Sequence, residues 1–290
     1  MANNDKHLHL EVFVAPTKDV DRRPFPTAPE GPLTWSPTTA TLIFGEREAV
    51  LVDALMTIDE TERLCDWIES KGRVLTTIYI THGHADHLFG APIILKRFPH
   101  ARLVALREVV DAIRPMIDPV AIARSSIPMF GDQIYQPQIL PEILDSGTIY
   151  LEGHKLRAIY IGQSDTEIST VLHVPTLNAV VVGDIAYNDV HVLTASTDDN
   201  KRAAWIESIK KIAEMNPSIV VAGHKRPDAL DMPNILEETI QYLQDYSRHF
   251  AESNTPEELM AAMLRDHPKR MNPTTLWRSV TSNFGQKMPQ

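Results

Sequence analysis

The stretch TTIYITHGHADHLFG, residues 76–90, decides how this chain is read. Three of its twelve histidines, His82, His84 and His87, fall there within six residues, with Asp86 among them. A lone histidine is ordinarily an exposed or hydrogen-bonded side chain. The run that precedes the cluster, VLTTIYI at 74–80, is rich in β-branched and aromatic residues and reads as a buried strand. Positions 82 and 84 share one parity, so their side chains point the same way if extended geometry continues just past the strand. Asp86 and His87 then lie on a turn that folds back toward them. Neutral imidazoles beside a carboxylate suit zinc or another borderline divalent ion, and four such donors at one strand end form a metal-site pattern.

His-x-His-x-Asp-His after a strand resembles the metallo-β-lactamase superfamily of hydrolases, and further landmarks follow in order. TATLIFGEREAVLVDALM (39–56) is similar to the family's opening pair of strands, ending near Asp53. AVVVGDIAYN (179–188) is similar to the strand that delivers a bridging aspartate, here Asp184, and SIVVAGHKRP (218–227) to the one that delivers a last histidine, here His224. The similarity spans about residues 38–230 and implies a four-layer αβ/βα sandwich. One landmark departs from the pattern. Where the family usually has a further histidine after a strand and a glycine, LRAIYIGQSDTEISTVLHVP (156–175) offers Gln163. His173 sits inside a strand-like run and is wrongly placed relative to the glycine. The Gln163 amide oxygen is a neutral, harder donor than imidazole. The implied ligand set is therefore His82 and His84, with or without Gln163, at a first position, and Asp86, His87, Asp184 and His224 at a second. Whether one ion or two is held stays open; Zn2+ is expected, with Mn2+ or Fe2+ as alternatives.

Composition narrows the function. With 28 basic against 38 acidic side chains the formal net charge is −10, which disfavours nucleic acid as a partner because phosphate binding leans on Lys and Arg. Cys65 is the single cysteine, so no intrachain disulfide can form and the redox argument gives secretion no support. The start, MANNDKHLHLEVFV, has no basic n-region followed by an apolar segment, and no stretch approaches a membrane span. A cytoplasmic protein without a membrane partner is the expectation.

Along the chain, strands alternate with helices. TIDETERLCDWIESKG (57–72) offers Thr57 and Glu60 as a capping box, Leu64, Trp67 and Ile68 at helical spacing, and Gly72 as a stop. TIYLEGHKLRAIYIG (148–162) reads as a hairpin turning at Glu152 and Gly153, and Trp205, Ile206, Ile209 and Ile212 mark one face of a later helix. Residues 1–232 are read as one catalytic domain. Within it, 107–146 is Pro-rich, carries Met and Phe and shows little periodicity beyond one short helix; it is either a surface excursion or a lid over an apolar substrate. Residues 233–290 read as a helical C-terminal extension of the same domain, which packs on the core, shapes the pocket or makes a homodimer contact.

The chemistry that the resemblance implies is hydrolysis. A divalent ion lowers the pKa of bound water, so that hydroxide is available near neutral pH, and polarises the carbonyl under attack. No serine or cysteine nucleophile is needed. Asp86 is the candidate for acid/base work, and Asp184 would fix the separation of two ions. One main branch of zinc β-lactamases has a cysteine where this chain has Asp184, and Cys65 cannot serve, which disfavours that branch. Tyr187, three residues after Asp184, is spaced as in the family's quorum-quenching lactonases, where a tyrosine points its hydroxyl at the substrate carbonyl; packing at a strand end is the plainer alternative. His191 on the following loop is a second candidate for substrate contact. The expected substrate is a small carboxylic ester or lactone. Alternatives are a thioester of the glyoxalase II or polyketide type, a β-lactam, or loss of catalysis in a binding protein that kept the fold.

Overall fold

In a computed structural model describing residues 7–25 and 27–287, the run before the histidine cluster is a strand, Val74–Tyr79. Residues 1–6 and 288–290, which hold part of the chain start and of the tail read above, lie outside the described residues. In chain order the strands are β1 (His9–Ala15), β2 (Lys18–Asp19), β3 (Thr34–Trp35), β4 (Thr38–Phe44), β5 (Glu48–Val52), β6 (Val74–Tyr79) and β7 (Arg102–Ala105). They continue with β8 (Glu142–Ile143), β9 (Thr148–Leu151), β10 (His154–Gly162), β11 (Ser169–Val174), β12 (Ala179–Asn188) and β13 (Ile219–Lys225). The helices are α1 (Ile58–Ser70), α2 (Ala85–Leu88), α3 (Ala91–Arg97), α4 (Arg107–Met116), α5 (Pro119–Arg124), α6 (Ile127–Phe130), α7 (Asp199–Ala213), α8 (Asn234–Glu252), α9 (Pro256–Asp266) and α10 (Pro273–Lys287).

The main sheet runs β8-β7-β6-β5-β4-β13-β12-β11-β10-β9, with β1 also on β4. A strand has two edges. β1 lines one edge of β4 along its length, while β5 takes Thr41–Phe44 and β13 reaches Thr38 through His224. The sheet therefore divides at β4 into two halves. They meet again where the Thr170 amide donates to the Thr81 carbonyl at 3.0 Å, just beyond β6.

Side-chain alternation with period two gives each half two apolar faces. Val50, Val52 and Tyr79 face Leu172, Val174, Val181 and Val221 in a core between the halves. Ala49, Leu51 and Ile78 point the other way, onto Leu64, Cys65 and Ile68 of α1. Val180, Val182 and Val220 of the second half pack with Trp205, Ile209, Tyr242, Leu243, Tyr246 and Leu276 of α7, α8 and α10. Three cores separate four layers, the expected αβ/βα sandwich. Burial pushes the Cys65 thiol up to about 12, consistent with an idle core residue. The hairpin turns at Glu152 and Gly153 as read, with Leu151 opposite His154. The 107–146 segment is more regular than its sequence indicates: it holds three helices, and α4 buries Val109, Val110 and Ile113 in the core shared with α1.

Candidate metal centre

Five segments converge where the two half-sheets meet. The exit of β6 delivers His82 and His84, α2 carries Asp86 and His87, and β12 and β13 supply Asp184 and His224. The loop after β10 adds Asp165. Two groups of donors result, His82, His84, Asp165 and Asp184 in one and Asp86, His87 and His224 in the other, with the donor atoms of each within 4.8 Å of one another.

Asp184 lies between the groups. Its Oδ1 is 3.1 Å from His87 Nε2, and its Oδ2 is 3.3 Å from His224 Nε2 and 3.8 Å from His82 Nε2. Burial disfavours its charge, but the His224 and His87 imidazoles hold its carboxyl well below the usual range. His224 Nε2 also lies 3.3 Å from Asp86 Oδ2, and His84 Nδ1 is 3.1 Å from Asp165 Oδ2.

The backs of the rings are held. His87 Nδ1 donates to Asp53 Oδ2 at 2.8 Å, and His224 Nδ1 donates to the Pro37 carbonyl at 3.0 Å. Thr81 spends its hydroxyl proton on Asp53, so His82 Nδ1, 3.0 Å from Thr81 Oγ1, is the donor in that pair. In the neutral form all three rings would present Nε2 as a lone pair, the arrangement in which an outer hydrogen bond fixes a metal-binding tautomer. Asp53 makes these bonds from the left-handed backbone region, with φ 63°, a strain found at functional sites. Burial pushes the His82 imidazole down to about 3, which keeps it neutral.

The donor set fits a divalent cation. His82 Nε2, His87 Nε2 and Asp184 Oδ1 are buried without a hydrogen-bond partner, and an ion with N/O preference satisfies all three. Space is reserved as well: a Cβ at Gly223 would lie 2.3 Å from Asp184 Oδ1 and 2.8 Å from His87 Cε1.

Of the residues singled out from sequence, His82, His84, Asp86, His87, Asp184 and His224 come together. Gln163, left open above as a ligand, is engaged locally. Its amide nitrogen donates to the Ser164 and Thr166 carbonyls at 2.7 and 3.1 Å, bracing its own turn, and Asp165 is the side chain of this loop that joins the cluster. Its place in the same loop is the only sequence signal for Asp165, because the family pattern calls there for an imidazole beside the glycine. Tyr187 lines the cavity, yet its hydroxyl donates to Asp184 Oδ2 at 2.9 Å and Asp165 Oδ2 at 3.3 Å instead of standing free toward a substrate. His191 is placed away from substrate contact: it is fully buried against Tyr242 of α8, whose hydroxyl is 3.0 Å from its Nδ1. Trp35 was not anticipated. Its Nε1 donates to Asp86 Oδ2 at 2.8 Å, from a position 51 residues earlier that no local pattern marks.

A cavity of about 160 Å3 opens over this cluster. Asp86, Asp184, Tyr187 and His224 form its polar floor, and Trp35, Met116, Met129 and Leu193 supply apolar wall. Met116 and Met129 come from the 107–146 segment, which thereby borders the cleft. No helix among the described residues is long and apolar enough to cross a membrane.

Comparison with known proteins agrees with the geometry. Residues 33–224 match the model of the Metallo-beta-lactamase superfamily. A metallo-beta-lactamase type 2 of Bacteroides fragilis is 22% identical over 213 residues, 72% of this chain and 76% of that protein. A hydroxyacylglutathione hydrolase of Parasynechococcus marenigrum is 38% identical over 58 residues, only 20% of this chain and 22% of that relative. The crystal structure of a metallo-beta-lactamase family protein from Thermus thermophilus superposes with a TM-score of 0.65, at 18% identity, over 96% of this chain and 93% of its own; at that identity it speaks to fold alone.

Proposed function

The chain belongs to the Metallo-beta-lactamase superfamily, and on that premise we propose that it is a metal-dependent hydrolase of a small carboxylic ester or lactone. The observation that carries the reading is the pair of His/Asp groups, with orphaned Nε2 and carboxylate atoms, on the floor of a small and largely apolar cavity. His82, His84, Asp165 and Asp184 would hold one ion, and Asp86, His87 and His224, sharing Asp184, a second. A bound divalent ion supplies acidified water and polarisation of the scissile carbonyl.

The chain's own residues do the rest. Asp53 and Pro37 fix the His87 and His224 rings, so the site costs little reorganisation when it is filled. Trp35 pins one oxygen of Asp86 at the cavity floor, where that carboxylate can take and return a proton. Tyr187 holds Asp165 and Asp184 to one another through its hydroxyl; burial, with the two carboxylates beside it, raises its phenol well above the usual value and keeps it a donor. The apolar walls exclude water and suit an aliphatic or aryl acyl group. Zinc is the expected ion. Two carboxylates in the first group make that position harder than a three-imidazole site, which brings manganese and iron(II) within range there.

A thioester substrate is a second reading, favoured by the short similarity to hydroxyacylglutathione hydrolases. A panel of esters, lactones, thioesters and β-lactams, tested with protein loaded with zinc, manganese or iron, separates the two. Ester or lactone turnover that vanishes on chelation and returns with metal is the expected result. Turnover that survives chelation, or a clear preference for β-lactams, contradicts the proposal.

A further inference from the structure

Arg278, on α10, lines the same cavity as Asp86, Asp184 and His224. Arg97, Arg102, Arg107 and Arg202 each hold a carboxylate oxygen at 2.6–2.9 Å. Arg278 does not: among the described residues no carboxylate forms an ion pair with it, and its guanidinium instead lies 4.6 Å from the centre of the Trp35 ring. Burial lowers its pKa, with Asp86 and Tyr187 working the other way, and a guanidinium stays charged under such pressure. The Asp86 carboxylate that attracts it is already bonded by Trp35 Nε1 and faces His224, within the donor set of the metal centre. A partly desolvated cation left in a cavity wall without a counter-ion is unfavourable until a ligand supplies one. Its cation–π contact with Trp35 helps to hold the planar fork in place, and such a fork matches a planar anion through two parallel hydrogen bonds.

We propose that Arg278 is the anion-recognising residue of this cavity, so that the substrate carries a free carboxylate at one end and its scissile carbonyl at the other, joined by a short apolar spacer. The proposal rests on the hydrolase reading for its scissile bond, but not for the anion. Met116, Met129 and Leu193 provide the apolar wall along which the spacer would lie. The cavity, about 160 Å3, has room for the acyl part of a half-ester or lactone acid of a short dicarboxylic or hydroxy acid. The substrate class is thereby narrowed from any small ester to an acidic one.

Two measurements on the full-length, metal-loaded protein test this. In titration calorimetry, glutarate should bind the unaltered protein at least about tenfold more tightly than Arg278→Met, with Arg278→Lys between them because it keeps charge without the fork. Inorganic phosphate should bind more weakly than glutarate; the reverse order overturns the choice of carboxylate. For chemistry, the kcat/KM ratio of mono-p-nitrophenyl glutarate to p-nitrophenyl valerate should favour the acid by about tenfold or more and fall by at least that factor in Arg278→Met. If neither ester is cleaved while glutarate affinity still depends on Arg278, the anion site stands and the ester reading fails. Equal glutarate affinity in the unaltered and Arg278→Met proteins, both folded by circular dichroism, overturns the proposal, and Arg278→Lys serves the same comparison should Arg278→Met not fold.

Discussion

At Gly223 the backbone runs so close to the cluster that a single methyl group decides whether the site can exist. Gly223→Ala would set a carbon inside the contact distance of both Asp184 and His87, neither of which can retreat, since one sits within β12 and the other is tied to Asp53. That variant should retain its fold but bind metal at least about tenfold more weakly, the size expected when ligands are misplaced. Elemental analysis after dialysis checks it, and undiminished metal content would show that the cluster tolerates the shift. Tyr187 separates two roles. Because its hydroxyl is bonded to Asp184 and Asp165, Tyr187→Phe should weaken metal binding as well as turnover. A drop in turnover of about a hundredfold with metal content intact would instead restore the role read from its spacing, donation to the substrate carbonyl. Six of the cluster residues were legible in the sequence because they are histidines and aspartates at strand ends. Asp165 was not, because the family pattern directed attention to the glycine-adjacent Gln163, and the turn that swings Asp165 inward is set by hydrogen bonds no motif encodes. Trp35 and Arg278 act at the site from 51 residues before and 192 after Asp86, so only the fold brings them there.

The elements repeat this division between local and distant information. The capping box of α1 forms as read: Glu60 Oε1 accepts from the Thr57 and Met56 amides at 2.8 and 2.9 Å. Its other oxygen, 2.9 Å from Lys18 Nζ, adds a long-range partner that sequence could not announce. Glu60→Ala should lower stability by about 1–2 kcal/mol, through two unpaired amides and a stranded ammonium, while leaving metal content alone. Urea unfolding measures this, and no change in the midpoint would contradict it. Beyond one short helix, the helices of 107–146 were not legible because α5 and α6 are six and four residues long, too short to show a period. His191 was misread for a related reason, since its loop position hid the packing against Tyr242 on α8. Burial pushes its imidazole down to about 3. The unfolded chain therefore takes up the proton first, and stability from this group is lost as pH falls from about 6.5 toward 3. By pH 5 the loss should be about 2 kcal/mol, and His191→Gln should flatten the stability profile over that window relative to the unaltered chain. Parallel profiles for the two proteins would rule the effect out.

Across the whole molecule, the metal centre sits on the seam between the half-sheets. Thr81 and Thr170 join one side and Thr38 and His224 the other, so ligands from both halves are placed by the same contacts that close the sandwich. The four layers followed from the resemblance, the residue periodicity giving only α/β alternation; the cavity was not legible, because it is assembled from β3, the 107–146 segment and α10, which are far apart in the chain. Filling the site should tie the two half-sheets together, since the donors come from the β6 exit and α2 on one side and from the loop after β10, β12 and β13 on the other. Ion bound at a thousand times its dissociation constant stabilises the folded state by about 4 kcal/mol, so chelation should lower the melting temperature together with any hydrolytic rate. The most direct measurement of the central claim is elemental analysis of the purified protein beside Asp184→Ala. One or two equivalents of zinc, manganese or iron in the unaltered protein, lost in Asp184→Ala along with ester or lactone hydrolysis, is the predicted result. A protein that takes up no divalent ion on reconstitution, or hydrolyses its substrate at full rate when stripped, would contradict it.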